Sequence, residues 1–89
     1  MKFTWDTVKA DTNLQKHGVN FDEAATVFGD ALAGTFSDVD HSLTESRFIT
    51  VGMSVNGQLL VVSHTEIVDE IRLISARPAT AHERKKYES

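Results

Sequence analysis

The dipeptide Asn56-Gly57 lies between two stretches, residues 47–55 and 58–66, in which apolar side chains recur at every second position. No other feature restricts the fold as much. Period-two patterning reads as β-strand, and Asn-Gly is the strongest short hairpin signal because both residues tolerate positive φ in a two-residue turn. Such a turn sets the register: Val55 faces Gln58, Met53 faces Leu60, Val51 faces Val62, Ile49 faces His64, and Arg47 faces Glu66. Ile49, Val51, Met53, Leu60 and Val62 would then share one face, and that face is the expected core.

The flanking segments are punctuated just as clearly. Residues 3–5 can form a short strand. Asp6 is placed to cap a helix running to about His17, with Val8, Ala10, Leu14 and His17 near one face. Gly18 stands where a left-handed stop is wanted, with Val19 beyond it to touch Leu14. Asn20 followed by Glu23 is a variant capping box for a second helix. Its Phe21, Ala24, Ala25 and Phe28 make a core-facing stripe. After Gly29-Asp30, residues 32–36 read as a weak strand and 38–45 as a polar loop. Residues 70–77 read as a further strand, following a turn near Val68-Asp69. Thr80 and Glu83 form a capping box for a last helix, 81–88. The expected class is α+β: a βαα start, an antiparallel sheet, and a short C-terminal helix, with helices packed on one sheet face.

With 89 residues the chain is expected to be one domain, 1–89, with a thin core. It has no cysteine, which rules out disulfides and thiolate chemistry and makes a reducing cytoplasm the default compartment. The longest unbroken apolar run, residues 59–62, is far too short to span a membrane. MKFTWD passes straight into a strand pattern with no signal-peptide core.

Charge is distributed unevenly. The chain carries a net −4, yet residues 71–89 hold five Lys/Arg against two Asp/Glu. An acidic chain has little general affinity for nucleic acid, so any such contact must be local. The cationic end, IRLISARPATAHERKKYES, carries Arg72, Arg77, His82, Arg84, Lys85, Lys86 and Tyr87, a composition suited to holding a phosphate. No HxxxH pair, EF-hand or P-loop pattern occurs, so neither a metal nor a nucleotide cofactor is expected.

Three stretches taken together resemble the BrnT family of ribonuclease toxins. They are FTWDTVKADTNLQKHGVNFDEAATVF at the start, DVDHSLTESRFITVGMS followed by LLVVSHTE in the middle, and RLISARPATAHERKKYE at the end. The resemblance implies a RelE-like fold, metal-independent RNA cleavage, and a BrnA-type antitoxin with a ribbon-helix-helix domain, through which alone DNA would be contacted. The alternative is a non-catalytic homologue that only binds the antitoxin.

Metal-free RNA cleavage needs a base near the 2′-hydroxyl, an acid at the leaving oxygen, and cations for the charge added to phosphate. Arg77, at a strand end held extended by Pro78, is the first candidate; the bland reading pairs it with Glu83 or Asp69. Arg84 lies three residues before Tyr87, so both should share a helix face. Arg77 and Arg84 are expected to hold the phosphate, with Tyr87 or His64 transferring protons. Tyr87 can equally be an aromatic lid, and His64 a buried neutral histidine. Arg72, Lys85, Lys86 and His82 are the expected RNA contacts. Arg72 and Arg77, five apart, should fall on opposite strand faces unless the strand twists between them. His17, Lys16 and Arg47 form a fallback set, and His41 sits in the polar loop. An antitoxin is expected to cover the cationic end and bury Arg77 and Arg84.

Overall fold

The computed structural model describes residues 1–39 and 46–89; His41 and most of the expected polar loop lie outside the described residues. The elements are β1 (Lys2–Thr4), α1 (Thr7–His17), α2 (Phe21–Thr26), a 3-10 turn (Val27–Gly29), β2 (Gly34–Ser37), β3 (Arg47–Met53), β4 (Leu59–Ile67), β5 (Glu70–Pro78) and α3 (Ala81–Glu88). The strands form a five-stranded sheet ordered β1-β5-β4-β3-β2. Among the described residues β1 and β5 run parallel and the other strand pairs are antiparallel. The expected α+β order, βαα then strands then a closing helix, is the observed one.

The hairpin register differs from the expected one by a single residue. Ser54 N–H donates to the Gln58 carbonyl at 2.8 Å and Gly57 N–H to the Ser54 carbonyl at 3.0 Å, so the loop has three residues, Val55-Asn56-Gly57. Gly57 is left-handed at φ 79°, whereas Asn56 does not take positive φ. This is the three-residue hairpin with glycine at its left-handed position, in place of the two-residue turn. Tertiary contacts explain the choice. The Ser54 hydroxyl accepts from Asn56 and Gln58 N–H and donates to Glu23 at 2.7 Å. Met53 N–H donates to Asp30 and Val55 N–H to Thr26, anchoring the hairpin to the α2 end.

A one-residue shift moves every side chain to the other face. Val51 pairs with Val61 and Thr50 with Val62, so Val51 and Val62 lie on opposite faces. Arg47 pairs with Thr65 instead of Glu66, and His64 with Phe48 instead of Ile49. The inner face therefore carries Thr50, Gly52, Leu60, Val62 and His64, while Ile49, Val51 and Val61 lie on the outer one.

α1 and α2 cover the inner face. Val19, Phe21, Ala24, Val27, Leu60, Val62, Ile71, Leu73 and Ala76 form the core, with Phe3, Trp5 and Phe28 packed against it. Trp5 meets Phe21 edge to face at 5.8 Å. Asp6 caps α1 through Val8 and Lys9 N–H, and Gly18 ends it at φ 71° with its N–H on Leu14, both as expected. The buried side of α1 is the expected one only in part: Ala10 packs against the core and His17 is half-buried. Val8 is 70% and Leu14 48% exposed, whereas Asn13 is buried. β1 pairs with β5 only as far as Arg72. Beyond that point Asn13 stands in for the missing strand. Its Nδ2 donates to the Ala76 carbonyl at 2.9 Å and to the Val19 carbonyl at 3.0 Å, and its Oδ1 accepts from Ala76 N–H at 3.0 Å.

At α2, Asn20 caps Glu23 N–H at 2.7 Å, but the Glu23 carboxylate is taken by Ser54, so the reciprocal half of the expected box is absent. At α3 both halves of the Thr80–Glu83 box are present.

Candidate functional site

A bulge between β4 and β5 decides where the arginines point. Ser63 pairs with Ser75 but His64 pairs with Leu73, leaving Ile74 as an extra residue on β5. Leu73 and Ala76 are consequently both buried on the inner face despite being three apart. Arg72 and Arg77 follow suit, and both project from the outer face. Strict alternation would separate them; the bulge resets the phase.

α3 packs at the edge of that outer face and closes one side of a groove of about 420 Å³. Phe36, Ile49, Val51 and Val61 line the groove from the sheet, and Arg77, Glu83, Lys86 and Tyr87 add its polar groups. Arg77 is gripped end-on: Nη1 donates to Glu83 Oε1 at 2.8 Å and Nη2 to Oε2 at 2.9 Å. Glu83 Oε1 also accepts from Thr80 N–H at 2.8 Å. The capping carboxylate of α3 is thus also the clamp on Arg77. The guanidinium pulls the Glu83 carboxyl down to about 2, and Glu83 in turn raises the Arg77 pKa. Among the described residues the side edge of the guanidinium, Nε with the second Nη2 hydrogen, has no partner, and that edge matches an anion's two oxygens.

Tyr87 donates its hydroxyl to Asp30 Oδ2 at 2.5 Å, while Asp30 also accepts from Met53 and Leu32 N–H. The hydrogen bond to Asp30 raises the Tyr87 pKa, and the one from Tyr87 lowers that of Asp30. Tyr87 is therefore held as a donor and ties α3 to the segment before β2. Arg84 does not join it in the groove. With His82 and Lys85 it lines a separate shallow depression on α3, and its Nη1 lies 3.9 Å from Glu88. The expected Arg77–Arg84 pair is not assembled.

His64 is separated from the groove by the sheet itself. It is fully buried on the inner face, with Nε2 at 2.7 Å from the Thr50 hydroxyl, which in turn meets Thr35 at 2.7 Å. Its ring stands edge-on to Phe28 and stacks near Phe48, and among the described residues Nδ1 has no hydrogen-bond partner, with Glu66 at 3.8 Å. Burial pushes its pKa down to about 4. This is the bland reading of the residue. Lys16 and His17 end α1, on the inner side of the sheet.

A pH dependence follows from His64. Between about 6.5 and about 4 the unfolded chain binds a proton that the folded one refuses. Stability should therefore rise with pH across this window and fall as the pH drops through it. Thermal unfolding measured from neutral pH to about 4 should show that loss, and His64→Gln should flatten it; an equal slope in the variant would exclude His64 as the cause.

Among the described residues, no three His, Asp or Glu side chains come together to hold a metal ion, and no helix is long and apolar enough to cross a membrane. Residues 5–83 match the family described as the ribonuclease toxin BrnT of type II toxin–antitoxin systems. The chain belongs to the BrnT family. The fold agrees: the crystal structure of the Brucella abortus ribonuclease toxin BrnT, at 1.1 Å resolution, superposes with a TM-score of 0.69. The two are 24% identical, over 90% of this chain and 97% of that one. No curated protein matches the sequence.

In this BrnT-family chain the residues that sequence reasoning misses are Asp30 and, as a site residue, Glu83. Asp30 reads locally as a helix terminator, and its bond to Tyr87 spans 57 positions, beyond any local signal. Glu83 is visible twice in the sequence, as cap and as a partner of Arg77, but not as both at once.

Proposed function

We propose that this chain is an endoribonuclease acting in the cytoplasm, that it cleaves RNA in the outer groove without a metal, and that a BrnA-type antitoxin with a ribbon-helix-helix domain silences it. The observation that carries the reading is the Arg77 guanidinium, fixed in the groove wall by Glu83 with its side edge available to an anion. In the reaction the RNA 2′-oxygen gives its proton to solvent water and bonds to the adjacent phosphorus, while the bond from phosphorus to the 5′-oxygen breaks. A 2′,3′-cyclic phosphate and a 5′-hydroxyl result. Arg77 and Lys86 stabilise the charge gathering on the phosphate, the largest contribution such a site makes. Tyr87, once substrate displaces Asp30, supplies the proton to the departing oxygen. The apolar walls and cationic centre also suit a protein partner that covers the groove, and the antitoxin is that partner.

A second reading, an antitoxin-binding homologue without cleavage, is favoured by the state of the proton-transfer groups. His64 is sealed, Tyr87 is engaged by Asp30, and Glu83 is too weakly basic to take a proton readily. Purified protein incubated with RNA in EDTA separates the two. Cleavage that persists in EDTA supports the first reading, and cleavage that EDTA abolishes removes its metal-free mechanism. Absence of cleavage, with antitoxin binding retained, establishes the second.

A further inference from the structure

The groove has little net charge with which to hold RNA. Glu83 clamps Arg77 and Asp30 engages Tyr87. Of the groove's cationic groups, Lys86 and the side edge of Arg77 carry no partner among the described residues. Affinity from neutralised phosphates is correspondingly small, and a chain of net charge −4 attracts RNA no further from a distance. The sheet wall is apolar by contrast. Cross-strand partners share a face, so the row that starts at Arg77 runs through Val61 and Val51 to Gly34 on β2. Three strand spacings separate its ends, about 14 Å between backbones. Gly34 leaves the far end of the row without a side chain, and a Cβ placed there would meet nothing within 4 Å. Leu32 and Phe36, two residues to either side of Gly34, line the groove with it and are 76% and 54% exposed. The groove thus has cations at one end and an apolar seat beside an uncovered ring at the other.

Resting on the ribonuclease reading above, we infer that this seat takes an unpaired RNA base, stacked on Phe36 while a phosphate of the same strand sits at Arg77. Every base has a face that stacks on an aromatic ring, so the contact is tolerant of sequence. The groove offers little with which to read a base edge. The Tyr87 hydroxyl goes to Asp30, the Ser89 hydroxyl donates to the Lys86 carbonyl, and Glu83 grips Arg77. A base inside a duplex has both faces covered by its neighbours and gains nothing from Phe36. Phe36 therefore selects unpaired over paired nucleotides and discriminates weakly among bases. Stacking supplies the affinity that the charge of this chain does not.

Binding of short 2′-O-methyl RNAs, which cannot be cut, tests the seat without cleavage. Unstructured strands of A, C or U should bind the parent within about tenfold of one another, and each about tenfold or more tighter than a strand of equal length with abasic residues throughout. Phe36→Ala should weaken the base-bearing strands about tenfold or more. It should leave the slope of log affinity against log salt unchanged, because no phosphate contact is lost. Phe36→Leu, apolar but without a ring, should lose as much, and Phe36→Trp should keep the parental affinity. Gly34→Val, which fills the seat from an open position, should weaken the same strands and serves if Phe36→Ala does not fold. The abasic strand should bind all of these variants as it binds the parent. Equal binding of abasic and base-bearing strands by the parent overturns the inference, as does a preference of a hundredfold or so for one base. Phe36→Ala binding as the parent does would overturn it too, and would leave the ring to the antitoxin. An equal loss for the abasic strand would make Phe36 a structural residue and also overturn it. A parent that binds RNA through Phe36 but never cleaves it would instead overturn the ribonuclease reading while the base seat stands.

Discussion

Replacing Arg77 with alanine should slow RNA cleavage by about a hundredfold or more, the usual effect of removing one charge-stabilising donor from a reaction site. Lysine should not rescue it. An ammonium cannot grip both Glu83 oxygens with one edge and present a second fork to a phosphate, as a guanidinium does. Glu83→Gln should cost less than Arg77→Ala. An amide oxygen still accepts from Thr80 N–H, so α3 keeps its cap, but the charge that fixes the guanidinium plane is gone. Single-turnover cleavage by the purified variants gives the rates, and thermal unfolding shows whether each is folded. Cleavage by Arg77→Ala at the parental rate would remove Arg77 from the mechanism altogether.

Local chemistry is legible in the sequence wherever the cause is local. The caps at Asp6, Asn20 and Thr80, the stop at Gly18, and the inward-facing His64 and Phe21 can all be read within a few residues of themselves. What cannot be read is phase. Asn56-Gly57 announces a hairpin, but Ser54, Asp30 and Thr26, fixed from elsewhere, select the three-residue loop and turn β3 over relative to β4. The bulge at Ile74 then restores Arg72 to the face of Arg77. Neither event leaves a mark in hydrophobic periodicity, because a strand with apolar residues on both faces reads the same in either phase.

The candidate site is legible to the same degree. Arg77 and Tyr87 stand out by their positions in the cationic end and do meet in one groove. Helical spacing groups Arg84 with them, but it fixes neighbours on a helix and not the direction in which the helix faces the sheet. His64 qualifies by its chemistry, and burial removes it.

Asn13→Ala should be among the most destabilising substitutions that delete no core apolar group. The side chain is 5% exposed and closes three hydrogen bonds, two of them to the backbone of Ala76. Alanine would leave the Ala76 N–H and carbonyl and the Val19 carbonyl without this partner. At about 1–3 kcal/mol for each buried polar group left unsatisfied, a loss of about 3 kcal/mol or more is expected. For a domain of this size that lowers Tm by roughly 15 °C. Asn13→Asp should be worse, because a carboxylate would face two carbonyl oxygens with no hydrogens to give them. Val8→Ala, on the exposed side of the same helix, should change little and serves as the control. Differential scanning calorimetry on the three variants checks the ordering, and an Asn13→Ala transition coincident with the parent's would refute the account of α1 as a substitute strand. The consequence reaches the groove, because Ala76 immediately precedes Arg77. An amide that pins Ala76 inward also fixes the direction in which Arg77 leaves the sheet, so Asn13→Ala should cleave RNA more slowly even at temperatures where it remains folded.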